Sequence, residues 1–193
     1  HDTGVFQYSC TSLETMEAAA QLLRKGIDGS EIIEKTYFEK TYIQNQILGR
    51  ALLESMLVLE KQVVVSVVSR KEMEFFEAVP SDLEGIVAQL RQTKGVEVAI
   101  FLHETDTREY KVSLRSKGKV NVSSIAKYFG GGGHVRAAGV TMKGCAHDVI
   151  NNQLRQITLQ RKEAEKSKTG IVLVTGIVKV YKETGYISYA VVA

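Results

Sequence analysis

The stretch YFGGGGHVRAAGVTM, residues 128–142, places four consecutive glycines directly before a histidine. Glycine adopts a positive φ without a steric penalty, so a glycine run can turn successive backbone N–H groups toward one point and form an anion-binding concavity. His134 follows as a hydrogen-bond donor, and Arg136 adds a positive charge nearby. The pattern predicts a phosphate-binding loop. Its assigned members are Gly130, Gly131, Gly132, Gly133, His134 and Arg136.

A flexible linker is the alternative interpretation of the glycine run. Linkers usually contain serines and prolines, whereas these glycines lie between an apolar helix end, residues 125–129, and a small-residue segment, residues 137–139. The run is not a P-loop, because no lysine followed by serine or threonine comes after the last glycine. It also does not match the G-x-G-x-x-G dinucleotide fingerprint behind a strand.

Helix and strand patterns alternate along the chain, which predicts an α/β fold. Buried strands are predicted at 62–68 and 96–102, and a further strand at 138–142. The segment 109–115 alternates apolar and polar residues, which places Arg115 on a polar face. Helices are predicted from capping boxes at Thr11 and Ser81, from the apolar face of 43–59, from a cap at Asn121 or Ser123, and from the stripe at 150–157.

Composition restricts the class of protein. The contents of 44% hydrophobic and 24% charged residues are those of a globular protein. A net charge of +3 is too small for duplex DNA binding by bulk electrostatics, so an anionic ligand must be held locally. The sequence has no apolar run approaching the roughly 20 residues of a membrane helix. Cys10 and Cys145 lack metal-type spacing, and we expect a reducing cytoplasm.

The segment SLRSKGKVNVSSIAKYFGGGGHVRAAG, residues 113–139, resembles the DHHA1 substrate-binding domain of the DHH phosphoesterases. The resemblance is strongest to bacterial bifunctional oligoribonucleases and phosphoadenosine-phosphate phosphatases. The opening HDTGVFQYSCTS, residues 1–12, is similar to the last metal-binding motif of the family's catalytic domain. In that motif an aspartate before Thr-Gly binds manganese, and this position corresponds to Asp2.

The resemblance implies a C-terminal DHHA1-type mixed-sheet domain with helices, preceded by the helical end of a DHH catalytic domain. The expected boundaries are 1–60 for the catalytic edge and linker helix, 61–162 for the DHHA1 domain, and 163–193 for a charged linker and an extra β tail. It further implies a phosphodiesterase with two Mn²⁺ ions. Its ligands would be short single-stranded RNA or nucleotide phosphates, bound by Arg115, Ser116 and the glycine-histidine loop.

The Asp-His-His motif and the other metal motifs of the family are absent from this sequence. We therefore expect this chain to be the C-terminal part of a longer enzyme, which binds the ligand and does not cleave it alone. A non-catalytic nucleotide- or RNA-binding module is the alternative, and the form associated with alanyl-tRNA synthetase is a more distant one. The oligomeric state stays open, a homodimer included. Residues 175–193 are also similar to the start of bacterial tRNA pseudouridine synthases.

Overall fold

The computed structural model describes residues 3–7 and 10–184, with side chains as far as residue 165. Its backbone divides into two compact units, and the division falls between Asn45 and Gln46. The first unit contains α1 (Leu13–Arg24), α2 (Gly29–Ile33) and a π-helical turn, Glu34–Phe38. None of these three elements contains a buried residue.

The second unit is built on a six-stranded sheet with the order β1-β2-β3-β4-β6-β5. Its strands are β1 (Met56–Val58), β2 (Val63–Val68), β3 (Val98–Asp106), β4 (Glu109–Ser116), β5 (Gly132–His134) and β6 (Ala137–Lys143). The helices are α3 (Tyr42–Leu53), of which residues 46–53 belong to this unit, α4 (Arg70–Phe75), α5 (Ile86–Arg91), α6 (Val122–Tyr128) and α7 (Ala146–Thr184). β2 and β3 are parallel and the other pairs are antiparallel, so the predicted mixed α/β sheet is confirmed.

The two faces of the sheet are covered differently. One face packs against α6 and α7, and its core includes Val65, Ile100, Leu114, Ile125 and Ile157. The other face is covered over β2 by α3, where the buried Ser66 hydroxyl donates to the Ala51 carbonyl at 2.7 Å. α5 lies against β2, β3 and β4 and contributes the buried Ile86 and Leu90.

Strand β4 shows why this second face is left partly open. Tyr110, Val112, Leu114 and Ser116 are buried, whereas the alternate residues Lys111, Ser113 and Arg115 are exposed or half-buried. The predicted alternation, with Arg115 on the polar face, is therefore confirmed. By contrast, β2 is buried on both faces along most of its length, as its β-branched run predicts.

Several predicted helix ends are wrong by a few residues. Ser12, rather than Thr11, caps α1, by accepting from the Thr15 N–H. α3 ends at Leu53 and not at residue 59, because the Ser55 hydroxyl and N–H both bond to the Leu52 carbonyl. Asn121 is the cap of α6, which confirms one of the two predicted alternatives.

The predicted capping box at Ser81 does not open a helix. Asp82 instead accepts from the Val79 N–H and closes a 3₁₀ turn, Pro80–Leu83, and Gly85 with φ of +89° separates this turn from α5. Capping boxes form instead at Ser69 with Glu72, at the start of α4, and at Thr41 with Gln44, at the start of α3.

The last helix differs from the predicted linker and β tail. α7 continues to Thr184, so residues 170–184 are helical where the β-branched pattern predicts strands. Valine and isoleucine lower helix stability by only about 0.5 kcal/mol per residue, so such a run does not exclude a helix. Residues 185–193 lie outside the described part, and the three domain boundaries stay predictions. No helix among the described residues combines the length and apolar composition needed to cross a bilayer.

Candidate functional site

Arg115 and His134 lie on the same face of the sheet, in one row across three strands. Arg115 on β4 is directly opposite Ala137 on β6, and Ala137 is directly opposite His134 on β5. Opposed residues of antiparallel strands point to the same face, and two strand spacings amount to about 10 Å. Because alanine is the residue between them, a cation and an imidazole stand on either side of a shallow floor.

The next row of the sheet extends this floor. Ser113 is opposite Gly139, and Gly139 is opposite Gly132. A Cβ at Gly132 would meet no atom within 4 Å, so the space above it is open. We call the surface formed by these two rows the open face. It consists of Ser113, Arg115, Gly132, His134, Ala137 and Gly139.

Gly130 and Gly131 end helix α6. Gly130 has φ of +84°, and its N–H donates to the Lys127 carbonyl at 3.0 Å. The Gly131 N–H donates to the Ala126 carbonyl at 2.8 Å. These two bonds form a Schellman motif, which satisfies the last carbonyls of a helix. These two N–H groups already donate within the protein. They are therefore not available to an anion, so the predicted loop cannot use all four glycine N–H groups for binding.

Gly131 and Gly133 also allow close packing of the β5–β6 hairpin. A Cβ at Gly131 would lie 2.3 Å from the Gly139 carbonyl oxygen, and one at Gly133 would lie 2.5 Å from the Ala137 carbonyl oxygen. Gly133 has φ of +139°, a conformation that L side chains rarely adopt. The run is thus part of a packed hairpin, and a flexible linker does not describe it.

Three carbonyls of the hairpin are bound by groups outside it. The Ser123 hydroxyl donates to the Gly133 carbonyl at 2.8 Å. The Val122 N–H donates to the Val135 carbonyl, and the Ser116 N–H donates to the Arg136 carbonyl, both at 3.0 Å. The start of α6 and the end of β4 therefore fix the position of His134. The sequence alone predicts Ser123 only as a possible helix cap.

The structure does not bring every predicted site residue to the open face. Ser116 is fully buried toward the opposite face, and its hydroxyl has no hydrogen-bond partner there. The Arg136 guanidinium lies beside Gly118, with Nε 3.2 Å from the position of a Cβ at that glycine. Arg115 is half-buried, and its Nη1 donates to the Leu114 carbonyl at 3.0 Å. Asp2 lies outside the described residues.

Glu97 is a site-supporting residue that the sequence did not reveal. Its Oε1 accepts from the backbone N–H groups of Gly118, Lys119 and Val120, at 3.0, 2.7 and 3.3 Å. One carboxylate oxygen thus holds the loop that follows Arg115. Because the partners are more than 20 residues apart in the chain, no local pattern indicates this contact.

A lysine and a buried histidine lie next to the open face. Lys111 continues the exposed side of β4, and it stands opposite His103 on β3. His103 is only 6% exposed, and its Nδ1 has no hydrogen-bond partner. Burial lowers the pKa of His103, and the Lys111 charge lowers it further. This imidazole is therefore neutral at pH 7.

A metal-binding cluster is not found in the described part of the chain. Among the described side chains, those of residues 3–7 and 10–165, no group of three or more His, Cys, Asp or Glu is placed to hold a metal ion. A divalent ion such as Mn²⁺ requires several oxygen or imidazole ligands from the protein. The described side chains do not fit two Mn²⁺ ions on their own.

Comparison with known proteins finds similar bacterial sequences. The chain is 31% identical over 144 residues to the bifunctional oligoribonuclease and PAP phosphatase of Thermus thermophilus, covering 74% of this chain and 42% of that protein. The protein of the same name from Bacillus subtilis is 26% identical over 141 residues, covering 73% of this chain and 44% of that protein. This chain therefore spans less than half the length of these two relatives.

A solved structure shows the same fold. The exopolyphosphatase-related protein from Bacteroides fragilis superimposes with a TM-score of 0.75 at 28% identity, covering 83% of this chain and 48% of that one. The family model of the DHHA1 domain matches residues 60–174, which include the whole β2–β6 sheet and the open face. The chain belongs to the DHHA1 domain family.

Proposed function

We propose that this chain supplies the nucleotide-binding part of a DHH-type phosphodiesterase that degrades short oligoribonucleotides and 3′-phosphoadenosine 5′-phosphate. The observation that carries the proposal is the row that places Arg115 and His134 on either side of an alanine-glycine floor. The names of the two relatives support the substrate class. The proposal includes a cytoplasmic location, where RNA fragments and nucleotides are available.

The chemistry of the open face suits a phosphate group. A guanidinium donates two parallel hydrogen bonds to the oxygens of a phosphate, and its charge strengthens both. The imidazole of His134 can donate to another oxygen from the other side of the floor. Since Gly132 and Gly139 have no side chains, the ligand can approach the backbone itself. We propose that Arg115 orients the phosphate and that His134 fixes its second side.

Hydrolysis of a phosphodiester needs a water that attacks phosphorus while the bond to the leaving oxygen breaks. In the proposal Asp2 would be one ligand of two Mn²⁺ ions, and such ions would activate that water when bound. The described residues contribute binding and orientation. Positioning alone lowers the barrier substantially, because it removes the entropy loss of bringing the reactants together.

A non-catalytic nucleotide- or RNA-binding module is the second candidate function. The observation that favours it is the lack of a metal-binding cluster among the side chains of residues 3–7 and 10–165. Both functions use the same open face, so both predict nucleotide binding. They differ in whether the protein that contains this chain releases mononucleotides from short RNA.

Binding at the open face is tested with adenosine 5′-monophosphate (AMP) and calorimetry on the wild type, Arg115→Ala and His134→Ala. Each substitution removes a charge-assisted or neutral donor to phosphate, so we expect a loss of about tenfold or more in affinity. The control is Lys127→Ala, because Lys127 is an exposed cation on α6, the helix that packs on the opposite face.

We expect Lys127→Ala to retain wild-type affinity. Unfolding curves show whether each variant is folded. Wild-type affinity in both folded site variants would contradict the assignment of the open face.

A further inference from the structure

A second cationic surface lies beside the open face, around the loop that follows β4. A cleft of about 500 Å³ is lined there by three cations and one carboxylate. The cations are Lys117, Lys119 and Arg136, and the carboxylate is Glu97. We call these residues and the backbone between them the basic cleft.

The single carboxylate of the basic cleft, Glu97, binds the backbone of the protein itself. Glu97 Oε1 accepts three backbone N–H groups of the loop 118–120, so its charge is partly balanced by aligned peptide dipoles. These successive N–H groups form the kind of concavity that binds an external anion elsewhere, but here the protein's own side chain occupies it. An anionic ligand in the cleft would therefore have to be held by the three cationic side chains.

These cations are not neutralised within the described part of the protein. No ion pair found there includes Lys117, Lys119 or Arg136. The Lys117 ammonium donates one bond, to the Thr93 carbonyl at 3.3 Å. An ammonium has three N–H donors, so two remain for a ligand.

The Arg136 guanidinium lies against Gly118, where a side chain would leave it no room. Its Nε and Nη2 lie 3.2 and 3.3 Å from the position that a Cβ at Gly118 would take. Gly118, with φ of +130°, thus gives the planar group room to lie against the loop. The guanidinium, Lys117 and Lys119 consequently converge on one cleft.

The basic cleft continues directly from the open face. Lys117 follows Arg115 by two residues, which corresponds to about 7 Å of extended chain. Arg136 follows His134 by two residues in the turn of the β5–β6 hairpin. Both cationic surfaces thus lie at the same end of the sheet, and a ligand with two linked phosphates could contact both.

We propose that the basic cleft is a second phosphate-binding subsite, which selects ligands that carry at least two phosphate groups over mononucleotides. This inference rests on the proposed function, because the first phosphate is placed at Arg115 and His134. The second phosphate is either the next internucleotide linkage of a short RNA or the other terminal phosphate of a nucleoside bisphosphate.

The test compares three ligands by calorimetry: AMP, adenosine 3′,5′-bisphosphate and a 5′-phosphorylated adenylate trimer. The variant Lys117→Ala/Lys119→Ala is compared with Lys127→Ala/Lys143→Ala, which removes the same charge away from the cleft. Lys143 is 85% exposed at the other end of β6. We expect the affinity ratio of trimer to AMP to fall by about tenfold in the cleft variant and to stay at the wild-type value in the control.

The bisphosphate identifies the source of the second phosphate. A fall in the bisphosphate-to-AMP ratio assigns the subsite to any second phosphate, and a fall for the trimer alone assigns it to internucleotide linkages. The salt dependence of the wild type is an independent measure. We expect the slope of log affinity against log salt to be steeper for the trimer than for AMP by about 0.7 per additional phosphate contacted.

An unchanged trimer-to-AMP ratio in the folded cleft variant would overturn the subsite. If Arg115→Ala still loses AMP affinity in that case, the proposed function stands and only this inference is wrong. A wild-type chain that binds none of the three ligands would overturn both.

Discussion

At the scale of single residues, the four glycines of the GGGGH stretch have different surroundings, so alanine has different effects at each. We expect Gly131→Ala to lower the free energy of unfolding by about 1–3 kcal/mol, because its Cβ would collide with packed backbone. That Cβ would lie 2.3 Å from the Gly139 carbonyl oxygen. Gly132→Ala should leave stability within about 0.5 kcal/mol, since its Cβ enters open space.

Ligand affinity separates these effects further. The new methyl group of Gly132→Ala would occupy the floor of the open face, so we expect weaker AMP binding in a fully stable protein. Unfolding in denaturant and calorimetry measure the two quantities. A Gly132→Ala variant that is stable and binds AMP like the wild type would show that the ligand does not contact this floor.

His103 gives a pH dependence to stability. Burial, followed by the Lys111 charge, lowers the pKa of this histidine in the folded state below its ordinary value of 6.5. The unfolded chain therefore binds the proton more readily, and stability is complete above pH 6.5 and falls as the pH drops below it. We expect His103→Phe to show a smaller loss of stability between pH 6.5 and pH 5 than the wild type.

The control for His103 is the exposed His147, whose side chain is 81% accessible. His147→Phe should retain the wild-type pH dependence. Glu72 does not interfere in this range. Its burial favours the neutral acid, but the Ser69 and Arg50 hydrogen bonds and the Arg50 charge together keep its pKa below 4.5. An identical pH profile for the wild type and His103→Phe would contradict the assignment.

At the scale of elements, α6 and the β5–β6 hairpin act as one support for His134. The buried Ser123 hydroxyl donates to the Gly133 carbonyl, so Ser123→Ala leaves that carbonyl without this partner. We expect a loss of about 1 kcal/mol of stability and weaker AMP binding, since the hairpin is held less firmly. Ser124→Ala is the matched control for ligand binding, because the Ser124 hydroxyl donates to the Asn121 carbonyl and accepts from Gln160 on α7, and neither bond involves the hairpin. Equal AMP affinity in both variants would argue against this support.

The elements also show how much the sequence could predict. The alternation of β4 identified the face of Arg115, because hydropathy with a period of two is a direct consequence of strand geometry. β5 could not be predicted, because Gly132 and Gly133 carry no side chains and therefore no hydropathy pattern. The Glu97 contact with the loop 118–120 and the burial of Ser116 depend on distant packing, which a local pattern cannot contain.

At the scale of the whole molecule, binding and cleavage should be separable. We expect the 193-residue chain to bind AMP yet to release no mononucleotide from a short RNA with Mn²⁺ above the background rate. The reason is that the described residues contain no cluster of metal ligands. Product analysis by chromatography tests this, with AMP binding of the same preparation as proof of a folded site. Turnover that a chelator abolishes would show that the chain holds a complete metal centre.

The three external bonds to the β5–β6 hairpin have a kinetic consequence. Because the carbonyls of Gly133, Val135 and Arg136 are already held, the hairpin loses little conformational freedom when a ligand arrives. Association then needs no slow ordering step, and its rate is set by diffusion and by electrostatic attraction to the surrounding cations. Differences in affinity between nucleotides would therefore arise mainly from their dissociation rates. A nucleotide that complements the site better would therefore stay bound for longer, without binding faster.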